Sequence, residues 1–311
     1  MRVVFFGSPA AALPSLAALL EAGQEIILAV TQPDRPAGRG RKIAASPVKS
    51  FAAARGIPVF QPERIRKDPE APAVLARAGA DIHVVVAYGQ IIPGTIIDLP
   101  QWKSVNVHFS LLPKYRGAAP VQWAILGGEE RMGVTIFRLN EKMDEGDVLT
   151  SAETDILPGE NAGELESRLA RLGADLLVRT LAGISGLPLL PQDHSAATLA
   201  PKLQKEDGRI DWSAPNWAVD RRVRAFTPNP GAFTFRGGRR LNLLRGLSVQ
   251  REPGPGGPPG AVLPPTGAGL DVVCGGGGAY RILELQPESR KAMDARSYAA
   301  GGRVEAGEIL G

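Results

Sequence analysis

The sequence is poor in the residues that form disulfides, metal sites and membrane spans. It has one cysteine, Cys274, and three histidines among 311 residues. A single cysteine excludes an intramolecular disulfide and a cysteine-rich zinc site, and three histidines do not favour a histidine-based metal centre. No apolar run approaches the roughly eighteen residues that span a bilayer. We therefore expect a cytoplasmic protein with no metal and no membrane partner.

The amino terminus and the composition fit a soluble globular chain. MRVVFFGSPAA has too short an apolar run for a signal peptide and predicts a first β-strand. Apolar residues make up 44% of the chain and charged residues 22%, which is typical of globular domains. A length of 311 residues suggests two domains.

Apolar strands alternate with helical segments through the first half of the chain. Residues 2–6, 25–30, 82–87 and 105–108 read as buried strands, and segments such as residues 10–22 read as helices between them. Unbroken apolar strands in this order predict an α/β architecture, an open and mostly parallel sheet of Rossmann-like type with helices on both faces.

The pattern changes beyond about residue 187. A proline-rich segment, LPLLPQDHSAATLAPK, precedes strand-sized pieces that are interrupted by Gly and Pro, such as AFTFRG, RRLNLLRG and AYRILELQP. Short strands of this kind predict a small β-barrel. We therefore predict an N-terminal domain over 1–189, a linker over 190–207 and a C-terminal domain over 208–311.

The turn after the first strand lacks the features of a dinucleotide-binding loop. It reads GSPAA, with one glycine, whereas close approach of the backbone to a pyrophosphate needs several glycines. The GRG at 38–40 opens no helix, so it does not match a phosphate-binding fingerprint either. NAD binding is therefore not expected.

Two polar side chains stand out in the strand VNVHFSLLP. Asn106 and His108 are two residues apart and so face the same side of a strand. The strand ends at His108, and ligands of open parallel sheets bind at the carboxyl ends of strands. An amide and an imidazole that converge there can stabilise an oxyanion and move a proton. The alternative is that both side chains only satisfy loop backbone.

A histidine in such a role needs a carboxylate partner. The segment NEKMDEGDV offers Glu141, Asp144, Glu145 and Asp147. Because this segment follows a strand, we expect it at the same carboxyl edge of the sheet. Composition and spacing leave all four acids open.

Positive charge is concentrated in the later part of the chain. Residues 201–251 contain eleven Lys/Arg against four Asp/Glu, although the whole chain has a net charge of only +4. Such an asymmetry suggests a polyanionic partner. A solvated basic face is the other reading.

These motifs together resemble the folate-dependent formyltransferases. The resemblance rests on NVHFSLLPKYRGAAPVQWAI and on GVTIFRLNEKMDEGDVL, that is, Asn-x-His-x-Ser-Leu-Leu-Pro with a downstream Asp-x-Gly-Asp. TQPDRPAGRGRK with SPVK, VVVAYGQIIP and the C-terminal KEDGRIDW, RAFTPNPGAF and LELQPESRKAM are similar to the members that act on methionyl-tRNA. The resemblance covers essentially the whole chain.

The resemblance implies roles for individual residues. The catalytic residues would be Asn106, His108 and Asp144. The residues that bind folate would be Ser110, Leu111, Leu112, Pro113, Tyr88 and Gly89. The residues that bind tRNA would be Arg35, Arg39, Arg41 and Lys42 in an inserted loop, with Arg221, Arg222, Arg239 and Arg240 in an OB-like C-terminal domain. Phe109 and Leu199 depart from the residues common in the family at those positions.

The resemblance also implies a reaction. The expected donor is 10-formyltetrahydrofolate and the expected acceptor is the α-amine of methionine on initiator tRNA, with the enzyme a monomer. Other enzymatic readings are formyl transfer to glycinamide ribonucleotide or to an amino sugar nucleotide, and hydrolysis of formyl-folate. A protein that only binds RNA is the non-enzymatic reading. The basic C-terminal half and the PDRPAGRG loop favour the tRNA reading, because a small acceptor needs neither.

Overall fold

The computed structural model describes residues 1–37, 42–250, 257–264 and 267–311. Within these residues the strands, in chain order, are β1 (Arg2–Gly7), β2 (Glu25–Val30), β3 (Arg35–Ala37), β4 (Lys42–Ala44), β5 (Val59–Phe60), β6 (Ile82–Val86), β7 (Ser104–His108), β8 (Arg116–Gly117), β9 (Arg131–Arg138), β10 (Val148–Asp155), β11 (Leu199–Ala200), β12 (Ala232–Arg236), β13 (Arg239–Val249), β14 (Leu270–Val273), β15 (Ala279–Pro287) and β16 (Met293–Asp294).

The α-helices of the same residues are α1 (Leu13–Glu21), α2 (Pro47–Ala53), α3 (Ala71–Ala78), α4 (Gly94–Ile97), α5 (Pro120–Gly127), α6 (Ala162–Ala182), α7 (Asn216–Phe226) and α8 (Ala295–Gly302). Helix α2 begins at a proline, and the Ser46 hydroxyl caps it by accepting from the Lys49 amide. Helix α3 ends at Gly79, which adopts the left-handed conformation that favours glycine.

The larger sheet carries the first half of the chain. Its described strands run in the order β10-β9-β7-β6-β1-β2-β5. From β7 to β5 the strands are parallel, whereas β9 pairs antiparallel with β7 and β10 antiparallel with β9. The prediction of a Rossmann-like, mostly parallel sheet is confirmed. The antiparallel edge formed by β9 and β10 was not distinguished in the sequence pattern.

The middle of this sheet consists of strands that are apolar on both faces. Every residue of β6 is buried, as are all residues of β1 after Arg2. His83 of β6 is buried against the ring of Phe6, with its Nδ1 3.2 Å from the Ser104 hydroxyl. Burial lowers the pKa of His83 to about 4. This histidine is therefore a packed residue of the core, as its apolar neighbours in sequence predict.

Helix α6 determines which face of β7 is available to a ligand. A Cβ added at Gly173 of α6 would lie 2.9 Å from Val107 and 3.7 Å from the ring of Phe109. Val107 and Phe109 therefore face α6. Because strand residues alternate between faces, Asn106 and His108 point to the opposite side. Phe109 is buried on the helix side and faces away from the pair.

The later part of the chain forms a separate antiparallel sheet. Its described strands run in the order β12-β13-β15-β14, with β16 paired to β15. Strand β13 shifts register twice around Arg245, and such bulges bend and twist a strand. Helix α7 buries an apolar stripe that includes Val219, Val223 and Phe226. The prediction of a smaller, OB-like β domain is confirmed in the form of a curled antiparallel sheet.

The chain divides into two compact units. The first unit contains Met1–Pro120, Arg131–Asp155 and Glu166–Pro201. The second contains Val121–Glu130, Ile156–Leu165 and Lys202–Gly311. The predicted domain limits at residues 189 and 207 stay predictions. In the described part of the chain, no helix is both long enough and apolar enough to cross a bilayer.

Candidate active site

Strand β7 brings Asn106 and His108 to the carboxyl edge of the parallel sheet. Asn106 lies opposite Val85 of β6 and Phe137 of β9. Its side chain is half-buried, and among the described residues its carboxamide has no hydrogen-bond partner. The site therefore holds an accessible amide donor next to an imidazole.

Both ring nitrogens of His108 face oxygen atoms. Nε2 lies 2.9 Å from the carbonyl oxygen of Tyr115, and Nδ1 lies 3.8 Å from Oδ2 of Asp144. The His108 side chain is 7% exposed and the Asp144 side chain 12%. A backbone carbonyl oxygen and an ionised carboxylate oxygen accept hydrogen bonds but do not donate them. The surroundings therefore hold the ring in one orientation and place it at ion-pair distance from a carboxylate.

Asp144 reaches His108 by a path that the sequence analysis did not predict. We expected the segment after β9 to lie at the carboxyl edge of the sheet. Strand β9 is antiparallel, so it ends beside the start of β7, where the Leu139 amide donates to the Ser104 carbonyl. The chain returns to His108 through a turn in which Asp144 has a φ of +53°. The expected path was therefore wrong, because β9 ends at the opposite edge, although Asp144 itself lies beside His108 as expected.

The contacts of three of the four candidate acids, Glu141, Asp144 and Glu145, distinguish them. Oδ2 of Asp144 accepts a hydrogen bond of 2.8 Å from the backbone amide of Gly117, in addition to facing His108. Oε1 of Glu145 lies 3.6 Å from Arg116, and Oε1 of Glu141 accepts from the Gly94 amide. Asp144 is thus the acid whose carboxylate lies at the imidazole.

A network that the sequence analysis missed holds this acidic turn. Gln192 donates to the backbone carbonyls of Asp144 and Gly146 at 2.9 and 2.7 Å. Its own carbonyl accepts from the Arg116 guanidinium at 2.7 and 3.2 Å. Arg116 is only 5% exposed and also lies 3.0 Å from Nδ1 of His194. Arg116 belongs to the quoted KYRG stretch, whereas no local pattern indicates Gln192.

The segment predicted to bind folate is a tight turn fixed by two hydroxyl groups. Thr135 donates to the Ser110 carbonyl at 2.7 Å and accepts from the Leu112 amide at 3.0 Å. The Ser110 hydroxyl donates to the Lys114 carbonyl at 2.6 Å. The side chains of Leu111, Leu112 and Pro113 are half-buried, so they present apolar surface beside the end of β7. Thr135 is a further site residue that the sequence analysis did not single out.

Tyr88 and Gly89 follow β6, the neighbour of β7. The Tyr88 ring is buried in the core against Phe6, and burial raises the pKa of its hydroxyl. Gly89 is exposed with a φ of +77°. The Tyr88 carbonyl accepts from the side chain of Gln32 at 3.0 Å. A ligand at this turn would meet the Gly89 backbone, since the Tyr88 ring belongs to the core.

The predicted tRNA-binding loop is anchored at its base. Strands β3 and β4 form a hairpin, with Arg35 opposite Ala44 and Ala37 opposite Lys42. The Gln61 amide and the Lys49 ammonium bind the Asp34 carboxylate at 2.9 and 2.6 Å, and they lower its pKa. Arg35 is exposed, and its guanidinium donates to the side-chain oxygen Oε1 of Gln32 at 3.3 Å. The other predicted cations of this loop, Arg39 and Arg41, lie outside the described residues.

The C-terminal cations fall into two groups. Arg221 stacks on the half-exposed indole of Trp217, 4.7 Å from the ring centroid, and the Arg222 guanidinium donates to the Asp207 carbonyl at 2.6 Å. Arg239 and Arg240 begin strand β13. The four arginines therefore belong to two elements of the second unit, helix α7 and strand β13. No set of three or more potential metal ligands clusters among the described residues.

Comparison with known proteins assigns the chain to a family. The formyl transferase family model matches residues 1–181, and the model of the formyl transferase C-terminal domain matches residues 202–303. A methionyl-tRNA formyltransferase from Solibacter usitatus is 50% identical over 313 residues, which cover 100% of this chain and 99% of that protein.

Two solved structures share the fold. A methionyl-tRNA formyltransferase from Clostridium thermocellum superimposes with a TM-score of 0.59 at 16% identity, over 77% of this chain and 95% of that chain. HypX from Aquifex aeolicus in complex with tetrahydrofolic acid gives a TM-score of 0.66 at 18% identity, over 96% of this chain and 47% of that longer chain. This chain belongs to the formyl transferase family.

Proposed function

We propose that this protein transfers the formyl group of 10-formyltetrahydrofolate to the α-amine of methionine carried by initiator tRNA. Support comes from the relative that is 50% identical over the full length and from the meeting of Asn106, His108 and Asp144 at one edge of the sheet. Formyl transfer to an amine needs a donor for the formyl oxygen and an acceptor for the amine proton. The site offers both.

The Asn106 carboxamide is the observation that carries the proposal. It is half-buried, at the carboxyl edge of β7, and without a hydrogen-bond partner in the described part of the chain. An unused amide donor in this place can bind the formyl oxygen and stabilise the negative charge that develops there during attack. Such preorganised donors act most strongly in a site that excludes water.

The surrounding loops fit a folate. When bound, formyl-folate supplies the activated formyl group. Exposed Gly89 backbone and the half-buried apolar side chains of Leu111, Leu112 and Pro113 flank the end of β7. A pterin ring has apolar faces and a polar edge, so backbone groups and apolar side chains of this kind would hold it next to Asn106.

Asp144 and His108 are the groups placed to take the proton that the amine loses when its lone pair bonds to the formyl carbon. The bond from that carbon to the folate nitrogen then breaks, and tetrahydrofolate leaves once this nitrogen has taken up a proton. The Gly117 amide orients the Asp144 carboxylate, and His108 lies beside it. We had expected His108 to donate to the formyl oxygen together with Asn106. In the structure, Nε2 is engaged with the Tyr115 carbonyl. His108 can act as that second donor through Nδ1, which lies 3.8 Å from Asp144, or through Nε2 if the ring leaves this carbonyl.

The assignment is tested by formyl transfer from 10-formyltetrahydrofolate to Met-tRNA with two alanine variants. We expect Asn106→Ala and Asp144→Ala each to lower kcat/KM by about 10² to 10³, the cost of losing one charge-stabilising group, with tRNA affinity retained. Asn161→Ala serves as a stability control, since Asn161 caps the start of α6 and its loss should lower the free energy of unfolding by about 1 kcal/mol without removing a group of the site. Near-normal turnover of either site variant would show that its residue has another role.

The acceptor is tested in the same assay. We expect transfer to Met-tRNA and none to glycinamide ribonucleotide, an amino sugar nucleotide or water. Preference for initiator over elongator tRNA is measured with both species. The cytoplasmic location and the monomeric state stay predictions, and sedimentation of the purified protein checks the second.

A further inference from the structure

A cavity of about 500 Å³ lies in the second unit, where the tip of the β12–β13 hairpin meets the end of β15 and helix α8. Its walls carry four arginines and two glutamates. Its apolar lining includes Pro287, Met293 and the ring of Tyr298. The family resemblance predicts tRNA contacts for two of its arginines, Arg239 and Arg240, but the reaction proposed above gives the cavity itself no role.

The hairpin places two of these arginines directly opposite each other. Arg236 ends β12 and pairs with Arg239, the first residue of β13, across the turn formed by Gly237 and Gly238. Both glycines have positive φ, +54° and +74°, as the tight turn requires. Like charges on directly opposed strand residues repel each other. Negative charge beside either arginine therefore stabilises this pairing.

Arg236 has its compensation within the protein. Nε and Nη2 lie 2.7 and 3.0 Å from the two carboxylate oxygens of Glu308, and Nη2 also donates to the Gly302 carbonyl at 3.0 Å. The hydrogen bond from Arg236 lowers the pKa of Glu308. Arg236 and Glu308 thus neutralise each other and are not available to a ligand.

The other arginines of the cavity are differently placed. The Arg240 guanidinium carbon lies over the Phe233 ring, 3.7 Å from its centroid, and its Nε donates to the Asn242 side chain, which fixes its orientation. Arg239 and Arg290 are exposed, and within the described residues their guanidinium groups have no hydrogen-bond or ion-pair partner. Planar guanidinium groups bind phosphate in a bidentate manner. The cavity thus offers unpaired cations beside apolar surface.

We propose that this cavity binds a single nucleotide, with its phosphate at Arg239 and Arg290 and its base against Met293 and Tyr298. The volume is that of a pocket for one small ligand. Aromatic and apolar side chains stack with any base, whereas cations select the phosphate. The nucleotide comes either from the RNA substrate or from the free pool, since both present the same chemistry.

Calorimetric titration of the full-length protein tests the proposal, with AMP, adenosine and inorganic phosphate as probes. We expect AMP to bind at least about tenfold more tightly than adenosine, because charge-assisted hydrogen bonds supply the difference. The double variant Arg239→Ala, Arg290→Ala should weaken AMP binding by about tenfold or more. Arg245→Ala is the matched control, since Arg245 is an exposed arginine of the same strand outside the cavity.

Two results would overturn the proposal: AMP binding no tighter than adenosine, or an equal loss in the Arg245 control and the double variant. If AMP binding is lost in the double variant while tRNA affinity is unchanged, the ligand is a free nucleotide. If the same variant also loses tRNA affinity and AMP competes with tRNA, the ligand is a nucleotide of the RNA. Direct binding is measured separately from formyl transfer, so a failure of the proposed function leaves this result interpretable.

Discussion

Replacing Gln192 by alanine should damage both stability and turnover, although this side chain is not expected to touch substrate. Gln192 is 7% exposed and makes four hydrogen bonds. Two of them support the turn that carries Asp144, and two satisfy the buried Arg116 guanidinium. The variant Gln192→Ala leaves the backbone carbonyls of Asp144 and Gly146 without their donor and removes two acceptor contacts from a buried charge.

The magnitude follows from these contacts. A neutral hydrogen bond contributes about 1 kcal/mol to stability, and one to a charged group about 1.5 to 3 kcal/mol. Partial relaxation and entry of water reduce the simple sum, so we expect the free energy of unfolding to fall by about 3 kcal/mol. A misplacement of about 1 Å in a catalytic group can cost about 10²-fold in rate. A looser Asp144 turn should therefore lower kcat/KM by about ten- to a hundredfold.

Urea unfolding and formyl-transfer kinetics measure the two effects. Gln192→Glu separates the contact with Arg116 from the support of the Asp144 turn. It keeps an acceptor for Arg116 but places a carboxylate oxygen, which cannot donate, against the Asp144 and Gly146 carbonyls. This variant should lose turnover as Gln192→Ala does. Gln286→Ala is the matched control, since Gln286 is half-buried and makes a single 2.9 Å hydrogen bond to the Arg290 carbonyl.

A positioning role for Gln192 predicts a change in kcat with little change in tRNA affinity. Wild-type turnover in Gln192→Ala would refute the reasoning, even if stability were lowered. Equal losses in the Gln192 and Gln286 alanine variants would refute it as well, because they would show that burial and contact number do not determine the effect.

Three further predictions concern other parts of the chain. His83 has a pKa of about 4 in the folded protein against an ordinary 6.5. As the pH falls, the unfolded state therefore takes up the proton first, and the free energy of unfolding should fall by up to about 3 kcal/mol between pH 6.5 and 4. In urea unfolding at several pH values, the free energy of unfolding of His83→Gln should depend less steeply on pH. Gly146→Ala should lower the free energy of unfolding by about 2 kcal/mol or more and reduce turnover, because its Cβ would overlap the Arg138 carbonyl. Gly186→Ala is the control and should leave both nearly unchanged in the same urea and kinetic measurements, since a Cβ there comes no closer than 3.8 Å to its surroundings. The double variant Arg39→Ala, Lys42→Ala should weaken tRNA binding and reduce the slope of log affinity against log salt by about 0.7 per lost phosphate contact; an unchanged slope would remove this loop from the RNA interface.

Local sequence was sufficient to predict features that depend on the alternation of residues along a strand. Alternation in VNVHF put Asn106 and His108 on one face and Val107 and Phe109 on the other, since successive strand residues point in opposite directions. The nearly unbroken apolar run IHVVV predicted a buried parallel strand, because helices cover both faces of such a strand. Asp144 was chosen by resemblance to a family, because no local sequence rule says which of four acids within seven residues contacts the histidine.

The direction of β9 and the partners of Gln192 were decided by tertiary structure alone. An apolar strand has the same pattern whether it pairs parallel or antiparallel, so the sequence could not show that β9 ends beside Ser104 and that the acidic turn must come back to reach His108. Gln192 lies in a proline-rich segment that reads as a linker, 48 residues after Asp144 and 76 after Arg116. Periodicity and composition report on neighbours within a few residues of the chain. The fold, which brings distant segments to one sheet edge, therefore determined how the acid and the imidazole are held.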